Sequence, residues 1–230
     1  HTFYLWHCAD ITSRAARVLG YHEDAVRYAQ MAEQVRTAFD RVFFDEKAQS
    51  CGPNGDNIFA LCMGLGAEHQ PQLINTVRKE IAEGTKGHVN VGFIGAKYFF
   101  ETLARHGMND LAYEAMNKTD FPSYGHWIAQ GATTTWEQWD GGNSRNHPMM
   151  GSGLTWFSRN LAGVQYDEHQ PAYRHIIIRP QVPTQMESVS YTKQTPYGKV
   201  ASSLQRKDGI TTVTVTVPVG STATLVLPIG

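Results

Sequence analysis

Asn160-Leu161-Ala162-Gly163-Val164 is where the hydrophobic rhythm of this chain changes, and that change decides its fold class. Before it, apolar residues recur every three or four positions, as along one face of an α-helix. After it they alternate or run β-branched, as in strands. Downstream, Arg174 to Pro180, Met186 to Thr192, Gly198 to Gln205 and Thr211 to Val217 read as strands, with Ala223 to Pro228 as a last one. Pro-Tyr-Gly198 and Lys-Asp-Gly209 supply turns between them. Short strands separated by turn signals predict a small antiparallel β-sandwich over 164–230.

Upstream, over 1–163, the reading is helical. Leu5, Ala9, Ile11, Ala15, Ala16 and Leu19 mark one helix, closed by Gly20 at its C-terminus. Glu23 and Asp24 open a second, whose apolar face runs from Val26 to Phe43, so the two form a helical hairpin. Further helices are predicted around Asn57 to Leu65, ended by Gly64 and Gly66, then Pro71 to Glu83, Phe93 to Arg105 and Asn109 to Lys118. The last runs from Pro148 to Leu161. Periodicity gives roughly seven or eight helical segments. Successive hairpins with glycine-rich, aromatic connections predict an (α/α)6 toroid, and a partial one, because six hairpins need about twelve helices.

Composition narrows the function. The chain has 230 residues, with Lys+Arg 20 against Asp+Glu 21 and a formal net charge of -1. Neither a basic excess nor a basic run is present, which argues against nucleic acid or an anionic membrane as partner. No apolar run approaches the ~18 residues of a membrane helix. Cys8, Cys51 and Cys62 lack metal-ligand spacing and read as small buried hydrophobes. The ten histidines are scattered, so no zinc site is expected, and no cofactor is indicated. The chain opens at His1, inside a helical pattern and without a leader, which reads as a piece of something longer. The expectation for location is a soluble protein of unread compartment, either cytoplasmic or periplasmic/extracellular.

The chemistry concentrates in Gly131-Ala-Thr-Thr-Thr-Trp-Glu-Gln-Trp-Asp140. Glu137 stands between Trp136 and Trp139, with Asp140 adjacent. An indole face covers the apolar side of a sugar ring, and a carboxylate beside it activates water or stabilises an oxocarbenium ion. The bland reading of Glu137 is a surface carboxylate beside two core tryptophans. The repeated aromatic and polar neighbours favour the catalytic one, with Trp136 the tryptophan that leans toward core. His147 closes the polar loop that begins at Asp140, before Pro148, and is a candidate donor to sugar hydroxyls, flanked by Arg145 and Asn146. His88 and Asn90, on a glycine-rich loop, and Trp127, next to His126, are further candidates for lining a cleft.

These residues resemble a known family. Gly-Ala-Thr-Thr-Thr-Trp-Glu137-Gln-Trp-Asp140, Asn146-His147 and the helix ending Leu161-Ala-Gly163-Val are similar to the bacterial α-L-rhamnosidases of glycoside hydrolase family 78. So are His88 to Gly95, Thr119 to Gly125, Ile178-Arg-Pro180 and Thr195-Pro-Tyr-Gly198. The resemblance implies an (α/α)6 catalytic barrel, a C-terminal β-sandwich and inverting hydrolysis of terminal α-L-rhamnose. It casts Glu137 as the general base and His147 as a sugar contact. It places the general acid in an acidic motif upstream of anything matched here, and it implies N-terminal β-domains that this sequence lacks. The partners it implies are rhamnose-containing glycosides or polysaccharides and the missing N-terminal part of the same polypeptide. Asn90-Val91 replaces a threonine pair common in the family, and the loop from Asp140 to Arg145 is short. Two other readings of the residues stand beside this one: another toroid glycosidase or phosphorylase acting on α-glucosides, and a non-catalytic carbohydrate-binding fragment.

Overall fold

The computed structural model describes residues 1–53, 55–64, 69–89 and 91–227. The expected helix end at Leu65 and Gly66, the candidate Asn90 and the expected strand end at Pro228 lie outside them. Two compact units divide the chain, His1–Thr102 and Leu103–Gly230.

The first unit is helical. Helices α1 (Thr2–Leu19) and α2 (His22–Phe43) pack as a hairpin. Phe3, Ala9 and Ala16 on one and Ala25, Ala32 and Phe39 on the other are buried, so mostly small residues face inward. Ser13, buried among them, donates its hydroxyl to the Ala25 carbonyl at 2.7 Å, which removes the cost of burying it. Gly20 takes a left-handed conformation (φ 81°) and turns its N–H back onto the last helical carbonyls, which is why α1 stops there. Helix α3 (Asp56–Met63) ends on Gly64 in the same way. Helix α4 (Gln70–Lys79) runs on into a π-helical turn, Glu80–Gly84, where a single α-helix to Glu83 is predicted. Asn57 ties this region together. Its side-chain oxygen accepts the Cys51 N–H at 2.7 Å, and its amide donates to Glu80 at 3.1 Å. Helix α5 (Phe93–Arg105) buries Ala96, Phe99, Phe100 and Leu103.

The second unit carries α6 (Asn109–Asn117), α7 (Tyr124–Ala129) and α8 (Gly153–Trp156). The predicted continuous helix from Pro148 to Leu161 resolves into a 3-10 turn (Pro148–Ser152), α8 and a π-helical turn (Phe157–Leu161). Two glycines and a proline in its first half weaken ordinary α-helical bonding. Helix α7, where only an aromatic turn is read from sequence, is capped by Ser123, whose hydroxyl accepts the His126 N–H at 2.9 Å. Gly125 permits it to form: a Cβ there would lie 2.4 Å from the Lys118 carbonyl.

Six strands follow among the described residues, in two three-stranded sheets. β3 (Ser188–Thr195), β4 (Gly198–Lys207) and β5 (Ile210–Thr216) form an antiparallel meander. β1 (Val164–Tyr166), a strand the sequence pattern does not signal, pairs antiparallel with β2 (His175–Ile178). β2 in turn pairs parallel with β6 (Thr222–Leu225), so that sheet is mixed. Val164, Ile176, Ile178 and Val200 form the core here, with Tyr173, Tyr191 and Val215 packed against it.

The link from Gln181 to Thr184 binds strands and helices into one unit. Gln181 donates its N–H to the Asn160 carbonyl, and its own carbonyl accepts from Asn109. Asp110 accepts the Thr184 N–H at 2.8 Å, and the Arg206 guanidinium donates to the carbonyls of Val182, Pro183 and Met186. Ser202 adds a buried bond to the Ala162 carbonyl at 2.9 Å. No helix among the described residues is long and apolar enough to cross a membrane.

Candidate active site

Glu137 sits on one arm of an irregular hairpin, and the returning arm carries Ser144 to His147. Two backbone bonds join the arms: Glu137 N–H to the Ser144 carbonyl at 2.8 Å and His147 N–H to the Thr135 carbonyl at 2.7 Å. Threonine hydroxyls add the rest. Thr135 donates to the His147 carbonyl at 2.8 Å, and Thr134 donates to the Arg145 carbonyl. Thr134 and Thr135 thus have a local structural use, closing the hairpin that presents the carboxylate.

In a regular hairpin the Ser144 N–H would pair with a backbone carbonyl. Here it donates to the Glu137 carboxylate at 3.2 Å, and Asn143 donates its amide to the other oxygen at 3.4 Å. The side chain thereby substitutes for a strand partner, which fixes its direction. Asn143 adopts a left-handed backbone (φ 58°), a conformation that asparagine tolerates better than most residues. His147 faces the same carboxylate, with Nδ1 3.8 Å from Oε2. That is too long for a hydrogen bond but close enough for an ion pair once the ring is protonated. The Glu137 and His147 side chains retain 24% and 21% of their exposure, so the pair is half-buried and still reachable.

The aromatic residues divide by burial. Trp127 and Trp136 are 2% and 6% exposed, whereas Trp139 is half-buried. Trp127 stacks on Trp139 (centroids 4.5 Å apart, planes at 28°) and donates its Nε1–H to the Trp139 carbonyl at 2.8 Å. Tyr124 packs edge-on against both rings, and its hydroxyl donates to the Met150 carbonyl at 2.6 Å. Burial holds that phenol well above its ordinary pKa, so it is neutral and a donor at any physiological pH. Trp136 lies under the Arg145 guanidinium, 4.7 Å from its centroid, and Arg145 also donates to the Gly141 carbonyl at 3.2 Å. Asp140 is exposed and folds the loop by accepting the Gly142 N–H at 3.0 Å.

The second unit therefore brings together Glu137, His147, Trp139, Asp140, Trp136 and Trp127 of the residues singled out from sequence. Direct sugar contact through the faces of Trp127 and Trp136 does not fit their burial, because both rings are already covered by protein. Asn143, Ser144 and Tyr124 are not among the candidate site residues that the sequence singles out. The available signal was the seven-residue spacing from Glu137 to Ser144 across Gly-Gly-Asn, a turn that returns the chain to its start. His88 belongs to the first unit, buried at 9% exposure in a turn where its carbonyl accepts the Thr85 hydroxyl at 2.9 Å. Asn90 lies outside the described residues. Among those residues no group of three or more His, Cys, Asp or Glu side chains is arranged to hold a metal ion.

Helical hairpins, a carboxylate-tryptophan loop and a following β region define a six-hairpin glycosidase domain joined to a C-terminal domain. The chain belongs to the bacterial α-L-rhamnosidase family: residues 1–161 match the model of the bacterial alpha-L-rhamnosidase six-hairpin glycosidase domain, and residues 163–230 that of the bacterial alpha-L-rhamnosidase C-terminal domain. An alpha-L-rhamnosidase of Streptomyces avermitilis is 30% identical over 242 residues, covering 99% of this chain and 23% of that protein. One from Formosa agariphila is 30% identical over 240 residues, covering 99% and 26%. Among solved structures, the alpha-L-rhamnosidase of Dictyoglumus thermophilum superposes with a TM-score of 0.89 at 29% identity, over 97% of this chain and 26% of that one. The Streptomyces avermitilis enzyme complexed with L-rhamnose gives 0.85 at 29%, over 97% and 22%. The chain thus spans about a quarter of the length of the relatives it matches.

Proposed function

We propose that the protein hydrolyses terminal α-L-rhamnose from glycosides or polysaccharides with inversion, and that Glu137 is the base that activates water. The observation that carries this reading is the fixed carboxylate. Ser144 and Asn143 aim it, and His147 stands 3.8 Å away on the facing arm. A base must abstract a proton along one direction, and a carboxylate tied by neighbours in its own loop meets that need without reorganising.

Trp139 supplies the half-buried ring against which a sugar packs, with Trp127 and Tyr124 bracing it and Trp136 packed on Trp127. His147 and Asp140 offer polar contacts to sugar hydroxyls. The second carboxyl that inversion requires, about 6.5–9.5 Å from the base, is assigned to the additional length that the relatives carry. The domain division that goes with this reading is 1–163 for the helical part and 164–230 for the β-sandwich.

The test uses the full-length protein. Glu137→Gln should lower turnover of 4-nitrophenyl α-L-rhamnopyranoside by about 10²–10⁴-fold, as expected for loss of a general base. Proton NMR of the wild-type reaction should show β-L-rhamnose as the first product. Retained α-configuration, or an active Glu137→Gln variant, would remove Glu137 from this role. Turnover of trehalose or maltose in place of the rhamnoside would move the protein to a different substrate.

A further inference from the structure

A cavity of about 380 Å³ lies within the second unit where the helical segment meets the strands. None of its lining residues belongs to the group around Glu137. Tyr166 at the end of β1, Tyr173 on the following loop and Tyr191 on β3 give it three aromatic walls. Arg159, from the π-helical turn after α8, and Lys193 on β3 supply two cations, and Ser158 contributes a hydroxyl. No carboxylate lines it among the described residues.

The cations are held in place. Lys193 donates to the Tyr173 hydroxyl at 2.7 Å and lies 4.7 Å from that ring's centroid. An ammonium carries three N–H donors, and Tyr173 takes one. Arg159 stands over the Tyr166 ring at 5.6 Å, and Tyr166 meets Tyr173 edge-on at 6.1 Å. Tyr191 and Lys193 share a face of β3 by the two-residue repeat of a strand. The bond from Tyr173 also holds the Lys193 ammonium above its usual pKa, so it stays charged.

Tyr173 is also conformationally unusual. It and Ala172 both have positive φ (66° and 61°), and a bulky aromatic residue rarely adopts that conformation without a reason. Ser221 clamps the strained loop by donating to the Tyr173 carbonyl at 2.9 Å. The result is a phenol placed where it both walls the cavity and positions the lysine.

We propose that this cavity is an ancillary binding site for an acidic saccharide, a uronate residue of the polysaccharide on which the protein works. The tyrosine faces cover the C–H side of the sugar ring, and Arg159 and Lys193 pair with its carboxylate. A bare inorganic anion needs the cations but not three aromatic walls. A neutral sugar needs the walls but not two cations in a cavity without a carboxylate. The volume, at the lower end of small-molecule sites, fits a single sugar unit rather than a long chain.

The site is independent of the catalytic assignment, and calorimetry on the full-length protein tests it. The probes are trigalacturonate, its fully methyl-esterified form and inorganic sulfate. The acid should bind, the ester at least tenfold more weakly, and Arg159→Gln or Lys193→Gln should each weaken the acid at least tenfold. Turnover of 4-nitrophenyl α-L-rhamnopyranoside should stay unchanged in both variants, so a failed binding test leaves the role of Glu137 standing. Arg159→Gln also alters the packing on Tyr166. Lys193→Gln, at a half-buried position on β3, and Tyr173→Phe, which keeps the ring and removes the lysine's partner, therefore serve as variants checked for folding by circular dichroism. Equal binding of acid and ester, sulfate binding as tightly as the trisaccharide, no binding of the acid, or folded variants with unchanged affinity would each overturn the proposal.

Discussion

At Trp127 one side chain joins the support of the candidate site to its stability. Its ring is stacked beneath Trp139, and its indole N–H is taken by the Trp139 carbonyl. Trp127→Phe keeps much of the packing but leaves that carbonyl without its donor. It should destabilise the protein by about 1–3 kcal/mol and lower kcat/KM for a rhamnoside. Urea unfolding and steady-state kinetics on the same preparation check both, and an unchanged kcat/KM would separate Trp127 from the site. Cysteine reactivity gives a second prediction at this scale. Burial, aided by the charges of Asp40 and Asp56, pushes the Cys51 thiol up to about 12, whereas Cys8 is exposed. The raised pKa leaves Cys51 as the neutral thiol across the neutral range, and the thiolate is the form that reacts. Iodoacetamide at pH 8 should therefore alkylate Cys8 well before Cys51, as read by peptide mass spectrometry, and reaction at Cys51 should require either unfolding or a pH near 12.

Among the elements, the helix-to-strand passage at Gly163 is the most tightly constrained. Gly163 has φ 75°, and a Cβ there would sit 2.2 Å from the Arg179 carbonyl carbon and the Pro180 nitrogen. Its own carbonyl accepts the Arg179 N–H at 2.9 Å, so the two backbones are in contact. Gly163→Ala adds both a left-handed strain and an overlap with backbone that cannot move alone. The expected loss is about 2–5 kcal/mol, seen as a large fall in Tm. A shift comparable to that of an ordinary surface substitution would contradict the close approach. Helix α7 shows the opposite case. Its start depends on a serine cap and on Gly125 fitting against residues 118 and 119, and six residues between a proline and a glycine carry too little periodicity to announce a helix. Likewise β1, three residues long, has no alternation to detect, and its pairing with β2 is fixed by the contact at Gly163.

On the scale of the molecule, the first unit leaves Val18, Leu19, Tyr21 and Val26 exposed around the turn of its helical hairpin. Clustered apolar surface of that kind favours self-association in water. Spanning about a quarter of its relatives' length, the 230-residue chain by itself should show negligible rhamnoside turnover, and it should scatter light at micromolar concentration. A monodisperse monomer turning over 4-nitrophenyl α-L-rhamnopyranoside at an ordinary enzyme rate would refute that expectation. The sequence alone determined the change from helix to strand after Gly163, the α1–α2 hairpin with its glycine stop, and the carboxylate-tryptophan block, because period, capping and turn chemistry are local and act within a few residues. The tertiary structure alone decided that Trp127 and Trp136 are buried while Trp139 keeps an open side, that Ser144 and Asn143 hold Glu137, and that β6 pairs parallel with β2. The physical reason is that burial and side-chain hydrogen bonding depend on which distant segments meet. The Tyr173, Lys193 and Arg159 cavity depends on that most of all: its residues come from a helical turn, a strained loop and a strand, and nothing in their spacing announces that they converge.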